Sequence, residues 1–187
     1  MNNLRGRENL LQAIASYQPW DEQEKAHQES MVAFLQREPN CFDRSVLEGH
    51  VTGSAWIINP EGTKCLLVHH KKLNRWLQPG GHADGNPDIF DVSKQEAREE
   101  TGLENLDSDG DIFDIDVHLI PARKSDPAHF HYDVRFKFTA STTDSIQISV
   151  ESNAVRWISL DELDEYAGDE PSIRRMADKT LTSPGSE

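Results

Sequence analysis

The spacing of apolar positions changes character near His50. Before it, Leu4, Leu10, Leu11 and Ile14 recur at loosely helical intervals until Pro19 interrupts. Met31, Phe34 and Leu35 mark a second helical stretch, about 21–37, that Pro39 ends. The pattern predicts an N-terminal helical extension over residues 1–44 that covers one side of the domain; a homodimer contact or an active-site cover are the alternatives. After His50 the texture is that of strands. Val51–Asn59 and Lys64–His70 are joined by the turn Asn59-Pro60-Glu61-Gly62. A helix over about 87–101 stops at Gly102. Residues 112–120 alternate, with Ile115, Val117 and Leu119 on one face and Asp114, Asp116 and His118 on the other. From about 130 to 140, Tyr132, Val134, Phe136 and Phe138 share a face. Val155–Ile158 reads as a short strand leading into an acidic helix at Asp161–Tyr166, and residues 171–180 as a last helix. Residues 181–187 read as a flexible tail. Strands mixed with a few helices over 45–180 predict an α/β sandwich.

Composition narrows the chemistry. At 187 residues the chain fits one domain with a modest extension. Its formal net charge of −14 repels nucleic acid and anionic membranes, so neither is expected as a partner. A phosphorylated substrate would also be repelled unless metal ions or local Arg and Lys offset the field. Cys41 and Cys65 form no C-x-x-C pair, which argues against a disulfide framework and a zinc ribbon. No apolar run has signal-peptide or membrane-spanning length, and a cytoplasmic protein is the expectation.

Chemistry concentrates in GHADGNPDIFDVSKQEAREETGL, residues 81–103. Glu96, Glu99 and Glu100 fall at helical spacing and span roughly 100° of one face. Carboxylates that close repel. A hard divalent cation makes the cluster tolerable, and Mg²⁺ or Mn²⁺ prefers such oxygen ligands. The plainer reading is a solvated helix face. Glycines in the preceding Pro79-Gly80-Gly81 turn let backbone approach a metal or phosphate closely. His82 follows that turn, within reach of a phosphate or leaving group. Arg75 and Trp76 border the same region, Trp76 more as core.

A second constellation lies on the 130–140 strand. Period two puts His129, His131, Asp133 and Arg135 on one face, opposite the aromatic residues. They read either as substrate contacts, with Arg135 on a phosphate, or as a polar outer sheet face. A transition-metal site through His129 and His131 is a weaker alternative. His69 and His70 point to opposite faces of a strand and read as structural.

The 81–103 stretch resembles the Nudix box, G-x5-E-x7-R-E-U-x-E-E-x-G-U, where U is aliphatic. Gly81, Glu96, Glu99, Glu100, Gly102 and Leu103 match without a gap, and Ala97 matches weakly. Pro87 stands where the first Glu belongs and Gln95 where the Arg belongs. Those two residues form a bracing ion pair in the family, and both are absent here. Asn86-Pro87-Asp88 reads as a substitute, with Asn as N-cap, Pro at the first helical position and an early Asp favouring the dipole.

The resemblance implies an α/β/α sandwich with a mixed sheet. It also implies Mg²⁺ or Mn²⁺ held by Glu96, Glu99, Glu100 and the carbonyl of Gly80. The implied reaction is hydrolysis of a diphosphate linkage in a nucleoside diphosphate joined to another moiety, so the partner is a small nucleotide-type molecule. Metal ions bridging the phosphates would acidify an attacking water, and a carboxylate would take its proton. Glu99, Glu100 and, outside the box, Glu151 are the candidates for that base. Arg75, His82, His129, His131 and Arg135 are the candidate substrate contacts. Two rivals share the fold: a nucleotide sensor without catalysis, and an isopentenyl-diphosphate-isomerase-like enzyme, for which Cys65 lacks the expected sequence context.

Overall fold

The computed structural model describes residues 4–123, 127–141, 145–150, 152–168 and 170–182. Glu151 lies outside the described residues.

Two helices come first, α1 (Arg7–Ser16) and α2 (Glu22–Arg37). Asp21 caps α2, its side chain accepting from Glu24 N. Then come strands β1 (Gly49–Ile58), β2 (Lys64–His70), β3 (Arg75–Leu77) and β4 (Gly80–His82), and the helix α3 (Ile89–Thr101). Strands β5 (Leu106–Asp107), β6 (Ile112–Ile120), β7 (His129–Ala140) and β8 (Ser152–Ser159) follow. A 3₁₀ turn (Leu160–Glu162), α4 (Leu163–Ala167) and α5 (Pro171–Thr182) close the chain. The β1–β2 turn is tied by Asn59, whose Oδ1 accepts from the backbone of Thr63 and Lys64.

The strands form one mixed sheet. β1, buried along its whole length, runs parallel to β7 and antiparallel to β2 and β4. β6 pairs with β7, and β8 with β2. Alternation sorts the apolar side chains onto two faces. Val51, Ala55, Ile57, Leu66 and Val68 join Tyr132, Val134, Phe136 and Phe138 beneath α1, α2 and α3. Trp56, Ile58, Cys65, Leu67 and Ile158 pack on the other side against Leu163, Ile173 and Met176 of α4 and α5. Each such side chain contributes about 1.5–3 kcal/mol on full burial. The architecture is the expected α/β/α sandwich, and the helical extension shares the first core through Leu10, Ile14, Met31, Phe34 and Leu35. Phe34 stacks on Tyr132 with ring centroids 3.9 Å apart.

The polar faces of β6 and β7 differ from an open outer face. Asp114, Asp133 and Arg135 are buried among α2, α5 and the sheet. Lys179 of α5 reaches Glu24 Oε1 at 2.5 Å and Asp114 Oδ2 at 2.8 Å. Arg175 binds Asp114 through two nitrogens, at 2.8 and 2.9 Å. Helix α2 also closes β6: Glu24 Oε1 accepts from Ile115 N and His27 Nδ1 from Val117 N, at 3.2 and 3.1 Å. Those N–H groups alternate along β6, so side chains one helical turn apart satisfy an edge that would otherwise invite pairing with another chain.

Helix α3 starts later than its sequence predicts. Its N-cap is Asp88, not Asn86, with the Asp88 carboxylate accepting from Asp91 N at 3.1 Å. Asn86 instead accepts from Asp88 N, shaping the turn before the helix. Pro87 therefore precedes the cap, and its carbonyl accepts from Gly6 N of the extension. Gly102 terminates α3 as predicted, at φ 73°.

Candidate active-site cleft

Helix α3 sits low on the sheet because Gly53 of β1 has no side chain. A Cβ there would lie 3.0 Å from the Ile89 carbonyl and 3.1 Å from Val92 Cγ1. On the same strand, Ser54 pairs with Gly80 and Gly53 with Gly81 of β4. A Cβ on Gly80 would overlap the Ser54 hydroxyl, and one on Gly81 would overlap the Glu96 carboxylate. The glycine pair thus lets the backbone of β4 meet the acidic face of α3, as the turn's composition predicts. Gln95 Nε2 donates to Glu99 Oε1 at 2.7 Å. Glu96 and Glu100 are half-buried and Glu99 is exposed.

All three glutamates, Gly80 and Gly81 line a cleft of about 1040 Å³. Five cations, Arg44, Lys72, Arg75, Arg123 and Arg135, line it too. Arg44 grips Asp84 through two contacts of 2.5 Å, and Arg75 pairs with Glu170. The cleft also carries Asp84, Glu96, Glu99, Glu100, Asp116, Asp133 and Glu170, so its acids outnumber its cations and a phosphate would enter only with cations to offset them.

The predicted contacts divide. Arg75, His82, His131 and Arg135 line the cleft, and His129 is not among its lining residues. The His129 ring lies against His50 instead, centroids 5.1 Å apart, and its Nδ1 meets the Pro127 carbonyl. Arg135 reaches the cleft from its floor. It is 2% exposed, and its guanidinium is committed to Asp133 at 2.7 Å, Asp114 at 3.1 Å and Asp116 at 3.3 Å. Those three carboxylates compete with a phosphate for the donors of Arg135. Asp133 is equally committed, accepting also from Thr52 and Ser54 of β1. These residues make a rigid floor. Burial alone would raise the Asp116 carboxyl, but Arg135 and the hydrogen bond to His118 outweigh it and hold it well below the usual carboxylate range.

Sequence reasoning missed His50. It is the second residue of β1, and parallel pairing sets it opposite His131. His82, opposite Thr52, closes the group. Burial pushes His50 down to about 4 and His131 to about 2, with the neighbouring imidazoles adding to the shift. His82 is lowered by burial as well. All three are neutral at pH 7. Their separation along the chain left no local signal; only strand order brings them together. Arg44, Lys72 and Arg123 were also missed, since single basic residues in loops carry no pattern.

The fold, with the family model that matches it, defines a hydrolase of pyrophosphate bonds. The chain belongs to the NUDIX domain family, whose model matches residues 49–179. Among solved structures, the chain resembles a C. elegans Ap4A hydrolase binary complex at 18% identity and TM-score 0.53, over 70% of this chain and 94% of that one. It resembles the E. coli dihydroneopterin triphosphate pyrophosphohydrolase at 10% identity and TM-score 0.56, over 71% and 96%. A Nudix hydrolase from M. smegmatis, RenU, aligns at 17% identity and TM-score 0.54, over 74% and 91%. These likenesses establish the fold. No curated protein matches the chain. Among the described residues, no helix is long and apolar enough to cross a membrane.

Proposed function

We propose that the chain hydrolyses a diphosphate linkage in a nucleoside diphosphate joined to a second moiety, such as a nucleotide sugar, an ADP-ribose-like compound or a dinucleotide. The reaction depends on Mg²⁺ or Mn²⁺, held by Glu96, Glu99, Glu100 and the Gly80 carbonyl. One observation carries this reading: the Glu96 carboxylate occupies the space a side chain on Gly81 would fill, so acid and turn are built for close approach. An all-oxygen donor set fits a hard divalent ion. When bound, such an ion polarises phosphate oxygens and lowers the pKa of an attacking water.

The chain's own residues do the rest. Gln95 fixes the orientation of Glu99. Lys72 and Arg123, with Arg75 released from Glu170, draw the diphosphate into the cleft and offset its charge. Glu99, Glu100 or Glu151 takes the proton from water. The substrate is a small molecule met in the cytoplasm, and the net charge of −14 disfavours nucleic acid and anionic membrane as partners. The isomerase-like alternative loses its acid: Cys65 is fully buried in the second core, its thiol pushed up to about 12 by burial.

The test is product analysis by chromatography. Candidate dinucleotides, nucleotide sugars, ADP-ribose and nucleoside triphosphates are incubated with Mg²⁺ or Mn²⁺, beside Glu99→Gln and Glu100→Gln. Cleavage of one compound at its diphosphate, lost in both variants, supports the proposal. Tight binding with every compound recovered intact would replace it with the sensor reading.

A further inference from the structure

Three strands bring together imidazoles whose only candidate part in the proposed hydrolysis is substrate contact by His82 and His131. His50 lies opposite His131 on the parallel pair β1–β7, and His82 approaches from β4. One ligand nitrogen from each lies within 4.8 Å of the other two. Their ring centroids are 4.9 Å apart for His50–His82 and His50–His131, and 5.1 Å for His82–His131.

His50 is 2% exposed, yet neither of its ring nitrogens has a hydrogen-bond partner among the described residues. The same holds for Nε2 of His131. Buried polar side chains nearly always have partners, so three such nitrogens at one place point to a ligand. Two further histidines flank the group and do have partners. His118 Nδ1 meets Asp116 at 2.9 Å, and His129 Nδ1 meets the Pro127 carbonyl at 2.9 Å. That contrast sets His50 and His131 apart, and His82 joins them by the spacing of its ligand nitrogen.

The geometry points to a three-imidazole site at His50, His82 and His131 for a borderline divalent transition metal, Zn²⁺ foremost, separate from the carboxylate site on α3. Neutral nitrogen donors suit Zn²⁺ or Co²⁺ and do not suit Mg²⁺. Zn–N bonds of about 2.0–2.1 Å in tetrahedral array set nitrogens roughly 3.3 Å apart, so ring rotations on the order of an ångström close the trio around an ion. His82 and His131 line the cleft, so the fourth position opens towards it and takes a water or a phosphate oxygen. Three protein ligands and one open position are the arrangement of a reactive zinc site, not of a closed structural one. The inference does not rest on the hydrolytic reading.

Full-length protein stripped of metal is titrated with Zn²⁺ and with Co²⁺ in excess Mg²⁺. The expected result is about one tight equivalent, with the visible absorption of four- or five-coordinate Co²⁺. Glu99→Gln and His69→Gln keep that equivalent. His82→Gln and His131→Gln weaken it by more than the roughly 10–100-fold that loss of an outer-shell partner costs. Imidazole ¹⁵N shifts of the unmutated protein provide a readout that needs no variant, and the resonances of the three named rings move together with Zn²⁺. Binding unchanged in the histidine variants, binding lost in Glu99→Gln instead, or imidazole shifts that ignore Zn²⁺ would each overturn the assignment.

Discussion

Gln95 Nε2 donates to Glu99 Oε1 across one turn of α3, at 2.7 Å. The Nudix pattern has an arginine at this position, and here a neutral amide holds the carboxylate instead. The partner glutamate of that arginine is also missing, and Asp88 caps the helix where Pro87 breaks the pattern. A hydrogen bond and a cap thus stand in for an ion pair, which seldom contributes much when exposed. Gln95→Ala is expected to raise the Mg²⁺ concentration needed for half-maximal cleavage by about 10–100-fold. A Mg²⁺ titration of activity checks this, and an unchanged midpoint would show that the contact is idle.

Gly81→Ala places a methyl where the Glu96 carboxylate lies. Glu96 must swing away, so metal-dependent cleavage should fall on the order of 100-fold or more. The fold should survive, because Glu96 is half-buried and its side chain can move into the cleft. Turnover and thermal unfolding measured together separate the two effects; a large loss of stability with normal turnover per folded molecule would contradict the placement.

Glu24 joins the extension to the last helix and to the edge of β6. It is fully buried, so Glu24→Ala takes one of two carboxylates from Lys179, which keeps Asp114, and uncovers the Ile115 N–H. Removing one member of a buried pair costs about 3–5 kcal/mol. Urea unfolding should show a loss of that order. A loss under about 1 kcal/mol, the scale of an exposed pair, would mean that water reaches the network.

Acid should act in two stages on the metal-free protein. His27, His50, His82 and His131 are lowered, with burial the largest cause in each. Neutral in the fold, they charge more readily when it opens. Their contribution is complete above an unfolded pKa of about 6.5 and is lost as pH falls towards the folded values, about 4 for His50. Asp114 and Asp116 are lowered despite burial, chiefly by Arg175 and Arg135, so a second loss begins below about pH 3.9. Urea midpoints that stay flat from about pH 7 to about pH 5 would contradict the first stage.

Much of this molecule follows from local pattern. Lys64–His70, read from its apolar run after a turn, and Ile112–Ile120, read from alternation, form strands over the residues predicted, and Gly102 ends α3 as a glycine at a helix terminus should. Glu96, Glu99 and Glu100 share the cleft because three helical positions turn by a fixed angle whatever surrounds them. The N-cap moved to Asp88 because several polar residues near a helix start can each accept a backbone N–H, and the turn geometry chooses among them.

Tertiary structure decided what pattern could not. Period two put Arg135 on the polar face of its strand, but whether that face meets phosphate or carboxylate depended on α2 and α5 covering it. The same covering turned Asp114 and Asp116 from surface acids into buried partners of Arg135 and Arg175. His50, His82 and His131 lie on three strands, and nothing in the spacing between them records that β1 runs parallel to β7 and antiparallel to β4. Sequence alone determines periodicities, because a backbone's repeat acts over neighbouring residues. Strand order and layer closure depend on which distant surfaces bury one another, and those long-range contacts decided which charges were paired and which histidines met.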